Sequence, residues 1–196
     1  MRSMWLLAIA ITAFTLPCRA QFFPKSSLDS NSRVDSRKAQ WYSKQLEALR
    51  EPSLFALAKD REAESYRFLW LRTFHHPVAV RLDRRQDGSW VLVTKVASGA
   101  GGYSPGRLVT NTSQGVPTAD AQRFLSAVQE VGFWSAPNPI DDQTGTDGSQ
   151  WIVEAVKAGH YHAVDRWTPK DGPARALGQF LAFDLARLTI PANEIY

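Results

Sequence analysis

The sequence predicts an α+β domain, built as an antiparallel sheet of about five to six strands with helices packed against it. Three observations carry this. Asp87-Gly88 separates two alternating apolar segments, a strong hairpin signal. A second pair of strand-like segments, within Asp147 to Trp167, meets at Lys157-Ala158-Gly159. Segments of helical period lie before, between and after these hairpins rather than alternating singly with strands.

The chain begins with Arg2, an apolar run from Met4 to Leu16 and then Pro17-Cys18-Arg19-Ala20. A basic start, a short apolar core and a small residue before a cut are the pattern of a secretory signal peptide. Residues 1–20 are therefore expected to be removed and the chain exported, to the periplasm or outside the cell. The run is shorter than the roughly 20 residues of a membrane-spanning helix, so no transmembrane segment is expected after cleavage. Pro17 ahead of Cys18 argues against a lipoprotein. Cys18 is the sole cysteine, so the remainder must fold without disulfides or thiolate metal sites. Losing Arg2 and Arg19 from 23 basic residues leaves an excess of about two over the 19 acids. That balance argues against a nucleic-acid binder, which carries a basic stripe.

Residues 21–37 are rich in Ser, Asn and charge and lack an apolar period, so a flexible tether is expected there, with a single domain over 38–196. Trp41, Gln45, Leu46 and Leu49 recur at helical spacing between Lys38 and Arg50, and Pro52 follows. Ser53 is placed to cap a second short helix reaching about Glu64. Tyr66 to Phe74 is apolar on both parities, which suits a strand covered on both faces. A two-residue turn at Asp87-Gly88 would oppose Leu82 to Val93 and Arg81 to Thr94. The glycine loop Gly99 to Gly106 lacks the Gly-Lys-Ser/Thr ending of a phosphate-binding loop and no helix opens after it, so a surface loop is expected. Arg107 to Thr112 reads as a short returning strand. Thr118 is placed to cap a helix with Ala121, Phe124, Leu125 and Val128 on one side, stopped by Gly132. Asp141, Asp142 and Asp147 lack calcium-loop spacing. The last helix opens near Gly172-Pro173, turns Leu177, Phe180, Leu181, Leu185 and Leu188 inward and ends by Pro191.

The stretch Asp147 to Trp167 gathers most of the chemistry-bearing residues. A three-residue turn with Gly159 left-handed would pair Glu154 with His162, close enough for a carboxylate to bond an imidazole. Such a pair has three readings: it orients a metal-ligating histidine, with His160, His75 or His76 as further ligands; it works as an acid/base pair; or it is an ordinary cross-strand polar pair. Asp165, on the presumed core side, requires a partner, for which Arg67 and Arg72 are candidates. Neither a Gly-x-Ser-x-Gly elbow nor His-Glu-x-x-His is present.

Tyr66 to Arg72, Phe74-His75-His76-Pro77, Gly101-Gly102-Tyr103, Asp147 to Trp151 and Tyr161 to Trp167 resemble a group of uncharacterised bacterial exported proteins, over roughly residues 65–190. The resemblance implies no activity.

The function expected is therefore a non-catalytic exported binding or interaction domain without cofactor or metal. Its partner would be a protein or a small molecule, facing His75, His76, Arg81, Tyr103, Glu154, His160, His162 and Arg166. The alternative is a metal-dependent or acid/base hydrolase using the His/Glu side of the hairpin.

Overall fold

The computed structural model describes residues 21–138 and 145–196. The expected signal peptide, and Asp141 and Asp142, lie outside them. Six strands, β1 (Glu64–Arg72), β2 (Val78–Arg84), β3 (Trp90–Ala97), β4 (Leu108–Val116), β5 (Ser149–Lys157) and β6 (His160–Trp167), form one sheet in the order β4-β3-β2-β1-β5-β6. Every neighbouring pair is antiparallel. With helices packed against it, the chain is an α+β domain.

β1 lies at the centre and is buried along its whole length, as its apolar content on both parities requires. One face carries Tyr66, Phe68, Trp70, Val80, Leu82, Trp151 and Val153 under α3 (Thr118–Glu130), α4 (Gly172–Gln179) and its π-helical continuation Phe180–Leu185. Ala121, Phe124 and Val128 of α3 point into this core, while Pro117 rather than Thr118 takes the cap position. The opposite face carries Leu69, Leu71, Ala79 and Ile152 under α1 (Ser32–Ala48), through Tyr42 and Leu46.

Residues 21–37 are not a tether. Phe22, Phe23 and Leu28 are buried in the α1-side core, and α1 starts at Ser32, capped by Asn31, whose side chain accepts from the Arg33 and Val34 amides. Asp35 then accepts from the Ser26 and Leu28 amides at 3.0 and 2.9 Å, folding the segment back over the helix. Two adjacent phenylalanines supply enough apolar area to offset the ordering of a polar stretch without period. The second helix is the short α2 (Leu54–Leu57), capped by Ser53 as expected, and the charged run after Ala58 continues as turns instead.

Both hairpin registers differ from expectation by one residue. At β2–β3 the loop has three residues: the Arg85 amide donates to Ser89 O, the Gly88 amide to Arg85 O, and Gly88 is left-handed at φ 82°. Leu82 therefore opposes Leu92 and Arg81 opposes Val93. At β5–β6 the loop has two residues, with Ala158 at φ 51° and Gly159 at φ 82°, so Glu154 opposes Ala163 and Ala155 opposes His162. Alanine in the left-handed region costs about 1–2 kcal/mol. Packing along β6 outweighs that cost, and the tight turn matches the strand twist.

The two sheet edges differ. Along β6 the segment Ala136 to Asn138 is bonded to the strand, with the Asp165 amide donating to Asn138 Oδ1 at 3.0 Å. β4, longer than expected, is exposed over most of its length.

Candidate functional site

The observed register moves every β6 side chain to the face opposite the one expected. Glu154 and His162 consequently point to opposite sides of the sheet, and the expected pair does not form. Glu154 is fully buried and accepts from Arg67 Nε at 3.0 Å, Arg67 Nη2 at 2.6 Å and the Tyr161 hydroxyl at 2.8 Å. Arg67 also donates to Pro52 O at 2.6 Å and reaches Glu51 at 3.4 Å. Glu51 collects two further cations, Arg81 at 3.2 Å and Lys95 at 2.8 Å. Burial alone would raise the pKa of Glu51, but Arg67, Arg81 and Lys95 together hold its carboxyl below the ordinary carboxylate range. Arg81 is also 3.1 Å from Asp83. Three cations thus meet three carboxylates, and the cluster is internally matched rather than poised for a charged ligand.

Of the four histidines only two are brought together: His160 and His162 line a shallow pocket of about 460 Å³ with Trp134 and Tyr161, while His75 and His76 lie elsewhere. His75 Nδ1 lies 3.2 Å from Glu194. His76 Nδ1 donates to Gly99 O at 2.8 Å, fastening the glycine loop. His160 stands exposed at the hairpin tip opposite Lys157. His162 Nε2 donates to Ala136 O at 3.1 Å with its ring edge against Phe133, and burial lowers its pKa. Among the described residues, no group of three or more His, Cys, Asp or Glu is arranged to hold a metal ion. Arg166 secures the β6 edge, donating to Asn138 Oδ1 at 3.0 Å and Pro137 O at 2.5 Å.

Asp165 is buried as expected, but its partner is neither Arg67 nor Arg72. The slipped register turns it toward α1, where Lys38 lies 3.2 Å away and Tyr42 donates at 3.0 Å. Gln150 completes the group, donating through Nε2 to Asp165 at 2.5 Å and to the Tyr42 oxygen at 2.8 Å. Burial raises the Asp165 pKa despite the Lys38 charge.

This group underlies a pocket of about 500 Å³, lined by Arg37, Lys38 and Trp41 of α1, Thr73 after β1, Gly102 and Tyr103 of the glycine loop, Gln150 of β5 and Trp167 of β6. The glycine loop is fixed there by short contacts. Trp41 Nε1 donates to Gly101 O at 2.8 Å, and Gln45 Nε2 to the same oxygen at 3.0 Å. A Cβ on Gly101 would lie 2.7 Å from Arg72 O and Leu71 Cα, so the glycine permits a backbone-on-backbone approach that brings Tyr103 to the rim. Tyr103 is 62% exposed and stands 6.2 Å from the ring of Phe74, itself 57% exposed.

One polar atom sets this pocket apart. Gln150 is buried, and its Oε1 has no hydrogen-bond partner among the described residues. The amide cannot be turned over to relieve this, because its nitrogen must face the Asp165 carboxylate, which only accepts. An unpaired buried acceptor costs about 1–3 kcal/mol, and here it belongs to a residue on the wall of a pocket.

Of the residues expected to form a site, only Tyr103 lies here. Arg37, Lys38, Trp41, Thr73, Gln150 and Trp167 were not anticipated. The available signal was the seven tryptophans of the sequence, since such rings serve at binding surfaces as well as in cores. Compared with known proteins, the chain matches no protein-family model and no curated protein.

Proposed function

We propose that the chain is a non-catalytic, exported binding domain whose ligand occupies the pocket between Trp41, Tyr103 and Trp167. The Gln150 side chain on the pocket wall carries this reading: its buried Oε1 has no hydrogen-bond partner among the described residues, and a ligand donor that reached it would satisfy it. Aromatic walls with a few fixed polar groups are the usual makeup of a small-molecule site. Export rests on the N-terminal sequence pattern. No helix among the described residues is long and apolar enough to cross a membrane.

The polar groups first singled out support a structural role instead. Glu154 is paired with Arg67, Arg81 with Glu51 and Asp83, and His162 and Arg166 hold the segment Ala136 to Asn138 beside β6. A thermal-shift screen of the purified protein against a small-molecule library, followed by titration of each hit into Tyr103→Ala and Trp41→Phe, tests the proposal. At least a fivefold loss of affinity in Tyr103→Ala is expected, since that side chain is exposed and its removal leaves the core intact. Hits bound equally well by both variants would place the ligand elsewhere.

A further inference from the structure

We infer that the ligand of this pocket is an uncharged saccharide, a pyranose ring presented by an oligosaccharide. The inference rests on the binding reading above and concerns the chemical class of what binds.

The walls and the floor demand different things of one ligand. Trp41, Trp167 and Tyr103 line the pocket, and aromatic rings, with their negative quadrupole, attract the weakly positive C–H edges of an aliphatic ring. Trp41 is held in orientation by its bond to Gly101 O, so a contact with this ring carries little new ordering cost. The wall residue Gln150 carries an acceptor with no partner among the described residues, which a hydroxyl or N–H donor would satisfy. A purely apolar ligand would fit the faces but leave that acceptor unsatisfied. A pyranose meets both demands, since its C–H faces and its hydroxyls point in different directions.

Charge decides against anions. Lys38 is the cation nearest the floor, and it is already matched by Asp165 at 3.2 Å and Asp29 at 3.6 Å. An incoming carboxylate or phosphate would meet a neutralised lysine flanked by two carboxylates. Arg37 alone, exposed on the rim, is a solvated charge of small effect. An uncharged polyol faces no such repulsion.

The test follows ¹H–¹⁵N NMR spectra of the full folded chain, assigned at the Trp41 and Trp167 indole N–H and the Gln150 side-chain NH₂. The probes are trisaccharides of β-1,4-glucose, α-1,4-glucose and β-1,4-N-acetylglucosamine, a trigalacturonate, and adenosine monophosphate. At least one neutral trisaccharide is expected to shift all three sets of signals, to bind at least fivefold more tightly than the trigalacturonate, and to lose at least fivefold in affinity with Tyr103→Ala. Shifts produced only by the trigalacturonate or the nucleotide would overturn the sugar assignment and leave the pocket as a binding site. If no probe moves these signals while a screening hit binds equally to wild type and Tyr103→Ala, both readings fall. Gln150→Met, which removes the acceptor but keeps the length, is expected to weaken the best sugar at least tenfold. Should that variant fail to fold, the loss of affinity in Tyr103→Ala decides between the outcomes.

Discussion

Glu154 is the residue whose role changed most between sequence and structure. It stands as the inner carboxylate of a fully buried pair with Arg67, at 2.6 Å. Removing one member of such a pair leaves the other charge uncompensated, so Glu154→Ala is expected to cost about 3–5 kcal/mol, read as a lowered urea midpoint. His162 makes a different prediction. Its pKa is lowered in the fold chiefly by burial, so the folded protein favours the neutral ring. As pH falls below the ordinary imidazole value of about 6.5, the unfolded chain takes up a proton that the folded chain resists. Stability therefore declines through that window and is flat above it. His162→Gln, which keeps a donor for Ala136 O, is expected to shrink the drop in urea midpoint between pH 7.5 and 5.5. Asp165, with its raised pKa, contributes with the opposite sign in both proteins, so the comparison isolates the histidine. The identity of the polar residues was legible in the sequence, and so was the need of Asp165 for a partner. The partners were not legible. Which carboxylate meets which cation depends on β6 register and on α1, an element more than a hundred residues away from Asp165.

The two hairpin turns show how far local chemistry carries at the level of elements. Both turns fall where glycine indicates, at Gly88 and Gly159, and each adopts the loop length that the sequence predicts for the other. Asp87-Gly88 forms the longer loop because Asp87 Oδ1 accepts from both the amide and hydroxyl of Ser89, at 2.9 and 2.6 Å, which favours Asp87 in the turn ahead of a left-handed glycine. Ala158-Gly159 forms the shorter one against the preference of alanine, because the slipped register buries Asp165 beside Lys38 and sets His162 against Phe133. Single-sequence turn rules do not contain that tertiary term. Ala158→Gly is accordingly expected to stabilise the protein by about 1 kcal/mol, as a higher melting temperature. On the other side of the sheet, α4 approaches so closely that a Cβ on Gly178 would lie 2.7 Å from Trp151 and 2.9 Å from Phe68. Gly178→Ala is expected to cost about 1–3 kcal/mol through overpacking, measurable in the same experiment.

At the scale of the whole molecule, the order of elements and the α+β class were legible because hairpins and helices follow one another with clear punctuation. What could not be read was that the segment ahead of α1 belongs to the domain. Phe22 and Phe23 have no periodic neighbours, and only the surface they cover reveals their use. Phe23→Ala is therefore expected to cost about 3–5 kcal/mol, where a tether residue would cost nothing; denaturant unfolding distinguishes the two. The pocket was illegible for a related reason. Its walls come from α1, the end of β1, the glycine loop and the two outermost strands of one side, and no short stretch contains more than a few of them. The sheet's asymmetry has one last consequence. A surface that can extend from both ends propagates without limit, whereas in this sheet Ala136 to Asn138 cross the outer edge near Asp165 of β6 and β4 is exposed over most of its length. An antiparallel β4-to-β4 association uses up the exposed strand of each molecule, and the segment crossing β6 opposes further growth from the other edge, so such contact favours a pair over a fibre.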